Sequence, residues 1–379
     1  MCLRRRSFML RAVRSACVPF LLMAVASAAV ATSARADDEK PATSLDQLLR
    51  DQENRDFERR YAAACADFDE QDLAVIVAIS HAGGPIHVRE FGALKDDGIP
   101  AEETQVDVNS ITKSFTGVVV SKAVEDGKLR LDETLGEIFE DVPDDKAGIT
   151  VHQLLTHAAG FPEAVGSDEE ELARSEFLDR AFRAPLVHPP GEKYRYSNVG
   201  FSILAAIVGM RSGKDYETYL QEDVLAGLGF ENIGYGSVYD ESRSLRTTRG
   251  RSIKEASWGG HDASWHLIGN GGWLCTAPEF IRFRQAVTSG KILSPAALER
   301  LHTPHIKEDA LGVSHYGYGL VVQESRRYGL DYWHDGGNGV YSAQWSDFHD
   351  RGDVIFTAGP DQNAMKAMGV LSRHLYREP

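Results

Sequence analysis

The chain has 379 residues, 42% of them hydrophobic, and a formal net charge of −15 at pH 7. This length is enough for one large or two modest domains with a buried core. A chain this acidic repels phosphate backbones, and no basic stripe offsets the charge, so we expect no nucleic-acid partner.

Residues 1–36 have the composition of a signal peptide. A basic head around Arg5-Arg6 precedes a mostly apolar run over 16–31, and Ala34-Arg35-Ala36 supplies a small-x-small cleavage site. We therefore expect an exported protein, periplasmic or secreted, without a stable membrane anchor after signal removal, because the apolar run is short. The paired arginines fit a twin-arginine export signal and an ordinary basic head equally well.

Two cysteines, Cys65 and Cys275, follow the predicted signal peptide. Export permits a disulfide between them, and two buried thiols fit the sequence equally well. Because no distance between the two residues follows from the sequence, both states stay open.

The first part of the mature chain is predicted to form a helix and a hairpin. Residues 44–66 are polar with a helical period, whereas 73–79 is a short run rich in β-branched residues, typical of a buried strand. Gly83-Gly84-Pro85 makes a turn, after which 86–91 returns as a second strand. Together these segments predict a helix covering an antiparallel sheet.

The middle of the chain is predicted to be mostly helical, beginning with a helix that starts at Ser110. Thr150 and Gln153 have the spacing of a capping box at the start of a further helix. Residues 231–270 are predicted to be loop with short elements, and a helix follows near 278–287.

The C-terminal part returns to strands, over 317–323, 332–336, 340–348 and 353–358, and ends in a helix over 363–376. The sequence therefore predicts an α/β (α+β) fold with an antiparallel sheet flanked by helices. Residues 37–118 and 262–379 would form one α/β domain from both chain ends, and 119–261 an inserted, mostly helical domain.

Ser110 and Lys113 stand three positions apart at the predicted helix start, and no other serine has a lysine at this spacing. Residues i and i+3 share one helix face, so the hydroxyl and the amine can meet. A lysine that takes the proton of a neighbouring serine activates it as a nucleophile. The free N–H groups at a helix start suit a developing oxyanion.

Tyr196-Ser197-Asn198 follows a Pro-Pro-Gly turn and precedes an apolar helix. A phenol beside an ammonium loses its proton more easily and can relay it, so Tyr196 is predicted as a second proton carrier. If the segment is extended, Asn198 points to the same side and can orient a substrate amide. A surface tyrosine followed by a helix-capping asparagine is the alternative.

Trp333-His334-Asp335-Gly336-Gly337 lies on a predicted strand. Paired glycines at a strand edge let a substrate approach the backbone, and an N–H there can complete an oxyanion hole with that of Ser110. His334, Gly336 and Gly337 are therefore predicted to bind substrate. A plain strand end with a turn is the alternative.

Together the three motifs resemble the class C β-lactamase and penicillin-binding-protein family of serine hydrolases, over nearly the whole mature chain. Three stretches resemble further elements of that family in the same order: Leu-Leu-Thr-His-Ala-Ala-Gly at 154–160, the run from Pro-Gly to Tyr-Ser-Asn-Val-Gly at 190–200, and Gly-Gly-Trp-Leu-Cys-Thr-Ala at 271–277. His157 belongs to the first of them and is predicted to be a satisfied, buried structural histidine.

The resemblance implies a role for each site residue. Ser110 would be acylated, while Lys113 and Tyr196 would move protons. Asn198 would hold substrate, and the N–H groups of Ser110 and Gly337 would form the oxyanion hole. The strand His334-Asp335-Gly336 would form the edge of the site.

Two residues depart from the family pattern. His334 stands where many members that open β-lactams carry lysine, and Asp335 stands where threonine is usual. The carboxylate of Asp335 adds negative charge where substrate carboxylates would dock. Both departures argue mildly against an efficient β-lactamase.

The sequence therefore predicts an exported serine hydrolase that forms an acyl-enzyme on a small-molecule ester or peptide-like substrate. Carboxylesterase, D-amino-acid peptidase and β-lactamase chemistry share this machinery and stay open, with pocket walls expected in 231–270 and 163–176. The alternative is a catalytically silent member that binds cell-wall peptide or a protein partner. No cofactor is predicted, nor zinc, because the histidine pairs 261/266 and 302/305 lack a convincing third ligand.

Overall fold

The computed structural model describes residues 45–96 and 98–376. The predicted signal peptide and the beginning of the mature chain lie outside the described residues. The described residues from Gln52 onward form one compact unit, and the described residues 45–51 are assigned to a separate unit. The division into an α/β domain (37–118 and 262–379) and a helical domain (119–261) stays a prediction.

The described helices are mostly short, and the longer ones are α1, α2, α6, α7, α10 and α12. In chain order they are α1 Leu45–Glu70, α2 Thr112–Glu125, α3 Leu135–Ile138, α4 Asp144–Ala147, α5 Val151–Leu155, α6 Arg174–Arg183, α7 Asn198–Ser212, α8 Tyr216–Tyr219, α9 Ile253–Ala256, α10 Ala277–Thr288, α11 Pro295–His302 and α12 Asn363–Leu375. Thr150 caps α5 with the predicted box, in which its side chain accepts from the N–H of Gln153.

The described strands form two antiparallel sheets. They are β1 Val75–Ser80, β2 Ile86–Phe91, β3 Gln105–Asn109, β4 Trp273–Thr276, β5 Ile306–Lys307, β6 Ser314–Tyr316, β7 Val321–Ser325, β8 Gly329–Gly337, β9 Tyr341–Phe348 and β10 Asp353–Pro360. The large sheet has the order β2-β1-β10-β9-β8-β7-β6-β5, and the small sheet pairs β3 with β4.

The large sheet joins both ends of the chain, as predicted. Strand β1 pairs antiparallel with β10, with Ala78 opposite Phe356. Alternate residues of β1 point to opposite faces, and the two faces enter different apolar clusters. Ile76 packs in the cluster that contains Phe115 of α2, whereas Val77 packs with α1 and α12. The sheet is therefore covered on both faces, which confirms the predicted α/β fold.

Two local predictions were wrong, and two strands were missed. Only the end of the predicted strand over 317–323 is extended, as the start of β7, because Gly319 at φ +78° turns the chain between β6 and β7. The small strands β3 and β4 were missed. The helix predicted to start at Ser110 begins at Thr112 instead, so Ser110 lies in the turn that joins β3 to α2.

Helix α2 is held tightly against the turn between β6 and β7. A Cβ added to Gly117 would lie 2.0 Å from the carbonyl oxygen of Tyr318, and one added to Gly319 would lie 2.1 Å from that of Lys113. The Ser114 hydroxyl donates to the Gly319 carbonyl at 2.7 Å. This close backbone approach fixes the helix that follows Ser110.

Cys65 and Cys275 are both buried and form no disulfide, so the buried-thiol alternative holds. Burial raises the pKa of the Cys275 thiol well above its usual range. Among the described helices, none combines the length and the apolarity needed to span a bilayer.

Candidate active site

Ser110 sits in a strained turn at the end of β3. Asn109 adopts φ +50°, an uncommon left-handed conformation for a residue with a side chain, and β3 carries a register shift between Asp107 and Asn109. The N–H of Lys113 then donates to the Ser110 carbonyl at 3.0 Å, so the turn leads directly into α2. Strain of this kind concentrates at functional sites, where it presents a side chain.

Lys113 is fully buried, and its ammonium group lies among aromatic rings. Its Nζ donates to the Asn270 carbonyl at 2.8 Å and lies 4.7 Å from the centroid of the Tyr196 ring. Burial lowers the pKa of Lys113 to about 7, although nearby carboxylates oppose the shift. A large fraction of Lys113 is therefore a neutral amine at neutral pH, able to accept a proton.

Tyr196 meets Ser110 through its hydroxyl, which shares a side-chain hydrogen bond with the Ser110 hydroxyl. Its ring packs 4.5 Å from the ring of His157, centroid to centroid. Burial raises the pKa of Tyr196 above its usual value, and the bond to Ser110 opposes this only in part. The expectation of an easily ionised phenol was therefore wrong, and Tyr196 keeps its proton at neutral pH while Lys113 is the basic group.

His157 is buried, as predicted, but it is not fully satisfied, because its Nε2 has no hydrogen-bond partner. It is 1% exposed, and its Nδ1 accepts the backbone N–H of Ser197 at 3.1 Å. Burial lowers the pKa of His157 well below its usual value, so the ring is neutral. The ring thereby holds the Tyr196-Ser197 segment beside Lys113.

Asn198 is the first residue of α7, and the cap of that helix is Ser197, whose hydroxyl accepts from the N–H of Gly200. The asparagine is therefore not the cap that the alternative reading required. Its backbone N–H donates to the Glu163 carbonyl at 3.0 Å. Its Oδ1 is buried without a hydrogen-bond partner, which leaves an acceptor for a substrate N–H.

His334 lies on β8 with its side chain buried, whereas the side chain of Asp335 is exposed. The Nε2 of His334 is 3.1 Å from the Tyr316 hydroxyl, and the Nδ1 of His334 is 2.6 Å from the Asp335 carbonyl. A carbonyl only accepts, so Nδ1 carries the hydrogen and Nε2 accepts from Tyr316. Burial lowers the pKa of His334 to about 4, which makes the ring neutral in this site.

Gly336 brings β8 against the turn of Ser110. A Cβ added there would lie 2.4 Å from the Val108 carbonyl and 2.7 Å from the backbone nitrogen of Ser110. Only glycine permits this approach. A Cβ on Gly337 would meet its nearest atoms at 3.7 Å, which is ordinary contact, so the first of the paired glycines is the one that the packing requires.

Carboxylates surround the site on several segments. Burial lowers the pKa of Lys113, and the carboxylates of Asp168, Glu163 and Asp335 oppose that shift. Burial raises the pKa of Tyr196, and the carboxylates of Asp335, Glu163 and Glu308 raise it further. Burial raises the pKa of Glu308, which also hydrogen-bonds with Tyr194. The ionisable groups around Lys113 and Tyr196 are therefore mainly acidic.

The structure thus brings the three predicted motifs together: Ser110 with Lys113, Tyr196 with Asn198, and His334 with Gly336 and Gly337. Sequence reasoning missed Asn270, whose backbone carbonyl accepts a hydrogen bond from Lys113, and Tyr316, whose hydroxyl donates to His334. Neither lies in a motif with Ser110, and no spacing could have found them. Among the described residues, no group of three or more His, Cys, Asp or Glu side chains is arranged to hold a metal ion.

Comparison with known proteins identifies the class. The Beta-lactamase family matches residues 56–348 of this chain. The chain therefore belongs to the Beta-lactamase family, a family of serine hydrolases, and the resemblance seen in the motifs is confirmed.

Individual relatives are distant. "Protein flp" of Staphylococcus aureus (strain COL) is 28% identical over 153 residues, 36% of this chain, and the match spans only 30% of the flp chain. "Penicillin-binding protein 4*" of Bacillus subtilis (strain 168) is 23% identical over 69% of this chain and 62% of its own.

Solved structures show the same fold. A penicillin-binding protein from Bacillus halodurans superposes with a TM-score of 0.67 at 20% identity, covering 81% of this chain and 98% of its own. A D-amino acid amidase from Ochrobactrum anthropi SV3, complexed with L-phenylalanine amide, has a TM-score of 0.68 at 20% identity, covering 84% and 97%. At these identities the likeness concerns the fold alone.

Proposed function

We propose that this chain is an exported serine hydrolase that cleaves esters or amides through an acyl-enzyme on Ser110. The observation that carries the proposal is the position of the Lys113 side chain. It is fully buried one turn after Ser110, has a pKa of about 7, and lies over the ring of a tyrosine that hydrogen-bonds with Ser110. A buried lysine of this kind is suited to general-base work.

The proposed reaction has two acyl transfers. The Ser110 oxygen attacks the substrate carbonyl, and its proton passes to Lys113, directly or through the Tyr196 hydroxyl, and then to the leaving alcohol or amine. Water afterwards attacks the acyl-serine, and Lys113 takes the proton of that water before Ser110 regains one. The backbone N–H groups of Ser110 and Gly337 stabilise the oxyanion in both steps.

The substrate is proposed to be a small ester or a peptide-like amide. Asn198 supports an amide, because its buried Oδ1 has no partner and could accept a substrate N–H. The neutral His334 and the carboxylate of Asp335 make carboxylate-bearing β-lactams the less favoured class. The amidase with the same fold is consistent with amide chemistry. Export to the periplasm or outside the cell rests on the pattern of residues 1–36.

The test is a substrate panel with wild type and Ser110→Ala. We would measure nitrophenyl esters, D-amino-acid anilides and a chromogenic cephalosporin, together with labelling by a fluorophosphonate and by a fluorescent penicillin. Wild type is expected to be labelled and to turn over at least one substrate. Ser110→Ala is expected to lose about 10³-fold or more of that activity. The exposed Ser289 provides a matched control, and Ser289→Ala should behave as wild type.

The alternative function is a catalytically silent member that binds cell-wall peptide or a protein partner. It predicts neither labelling nor turnover that depends on Ser110. That result, with the protein folded, would contradict the hydrolase proposal.

A further inference from the structure

Asp107 is a buried carboxyl group three residues before Ser110. Its side chain belongs to the small sheet, is 1% exposed, and is not explained by the reaction just proposed. Its Oδ1 accepts the backbone N–H of Asn109 at 2.8 Å, and its backbone carbonyl accepts the Asn109 side-chain Nδ2 at 3.1 Å. These two bonds close a short loop around the left-handed residue that precedes Ser110.

The second carboxylate oxygen of Asp107 reaches the other half of the oxyanion site. Its Oδ2 lies 3.4 Å from the Nδ2 of Asn338, the residue directly after Gly337. The Oδ1 of Asn338 in turn accepts the backbone N–H groups of Val340 and Tyr341, so Asn338 holds the turn that joins β8 to β9. One carboxyl group therefore contacts both segments of the oxyanion site. It binds Asn109, the residue before Ser110, and Asn338, the residue after Gly337.

A third segment closes over the same group. The Ser257 side chain hydrogen-bonds with Asp107, and a Cβ added to Gly259 would lie 2.8 Å from Oδ2. Backbone thus covers the carboxyl group and excludes water from it. A buried carboxylate costs free energy unless several donors satisfy it, and here Asn109 and Asn338 donate to the two carboxylate oxygens.

We propose that Asp107 is a positioning residue that fixes the distance between the Ser110 N–H and the Gly337 N–H by bridging Asn109 to Asn338. The inference rests on the proposed hydrolase function. Gly336 supports it independently, because it lies so close to the backbone nitrogen of Ser110 that a small displacement of either segment would alter the oxyanion site. An error of about 1 Å in such a site can cost about 10²-fold in rate.

The ionisation of Asp107 separates this role from a merely structural one. Burial raises its pKa to about 7. A raised pKa means that the carboxyl group favours the fold most when protonated, and that this contribution is lost as pH rises from about 4 through about 7. The titratable groups that interact electrostatically with Asp107 are Cys275 of β4 and Tyr341 of β9. Burial raises both of their pKa values, so neither ionises near neutral pH.

The test compares Asp107→Asn with Asp331→Asn at pH 8. An amide has one acceptor oxygen, so either Asn109 or Asn338 loses its partner in Asp107→Asn. We expect kcat on the best ester to fall about 10- to 100-fold with KM changed less than about 3-fold. We also expect the midpoint of thermal unfolding to stay level or rise, because a buried charge is removed.

Asp331 is the matched control. It is a carboxyl group at the opposite end of β8, and burial raises its pKa as well. Asp331→Asn should keep kcat within about 2-fold of wild type. An equal loss of kcat in both variants, or a loss in Asp107→Asn that follows a lowered unfolding midpoint, would overturn the proposed role.

A reciprocal exchange gives the second test. In the double variant Asp107→Asn with Asn338→Asp, the new amide donates to the new carboxylate, and the backbone donors of Asn109, Val340 and Tyr341 keep acceptors. We expect kcat and the rate of fluorophosphonate labelling to recover at least fivefold over Asp107→Asn. A double variant no faster than Asp107→Asn would overturn the role.

The two proposals fail differently. Turnover that depends on Ser110 but is unchanged in Asp107→Asn would overturn the role of Asp107 alone. Turnover that survives Ser110→Ala would overturn the hydrolase proposal, and the role of Asp107 with it.

Discussion

At the scale of single residues, the state of the Lys113 side chain governs what the site can do. A fully buried ammonium is costly, and the hydrogen bond to the Asn270 carbonyl offsets only part of that cost. The pKa of Lys113 therefore falls from 10.5 to about 7, with burial as the main cause. In the proposed reaction only the neutral amine can take the Ser110 proton.

This gives a prediction for the pH dependence of catalysis. We expect kcat/KM for a neutral ester to rise with pH, with a midpoint near 7, and to level off where Lys113 is fully deprotonated. Lys113→Met should lower kcat about 10²- to 10⁴-fold and remove that ionisation. Lys122 on the same helix is ion-paired with Asp126 near the surface, so Lys122→Met is the control and should keep the profile. A profile flat between pH 5.5 and 8.5 would contradict the role of Lys113.

The same residue shows what the sequence could and could not predict. The three-residue spacing of Ser110 and Lys113 placed both in one turn correctly. Nothing local showed that the lysine donates to Asn270, because 157 residues separate them. The phenol of Tyr196 was assigned the wrong pKa direction for a related reason, since burial is a property of the assembled fold and not of a motif.

At the scale of elements, the site depends on how closely β8 packs against the turn between β3 and α2. Strand β3 was missed from sequence, and so was the left-handed turn at Asn109, because their stability comes from pairing with β4 and from Asp107. The long strands β9 and β10 were predicted well, since alternation and length identify them. The very short β5 and β6 carry too few residues for any periodicity to register.

The packing of β8 predicts a sharp difference between neighbouring glycines. Gly336→Ala places a Cβ 2.4 Å from the Val108 carbonyl, so β8 or the Ser110 turn must move. We expect a loss of about 1–3 kcal/mol in the free energy of unfolding and about 10- to 100-fold in kcat. Gly337→Ala has room for its Cβ and should unfold as wild type does in denaturant titrations. Equal stability of the two variants would contradict the close approach described for Gly336.

At the scale of the whole molecule, the acidic chain also places several carboxylates around the candidate active site. The carboxylates come from separate segments, with Glu163 and Asp168 before α6, Glu308 after β5, and Asp335 on β8. The amine of Lys113 is only partly protonated near pH 7, and His334 is neutral, so these two groups offset only part of that charge. An anionic substrate therefore meets repulsion, which weakens as salt increases.

Asp335 gives the most direct test of this electrostatic repulsion, because its side chain is exposed on β8. We expect Asp335→Thr to raise the kcat/KM ratio of a carboxylate-bearing ester over a neutral ester of equal length by roughly two- to fivefold at low salt. The gain should shrink at about 0.5 M salt, since screening weakens the interaction in wild type. Asp141 is exposed and is not among the charges acting on Lys113 or Tyr196, so Asp141→Thr should leave the ratio unchanged. An unchanged ratio in Asp335→Thr would show that this carboxylate does not select against anionic substrates.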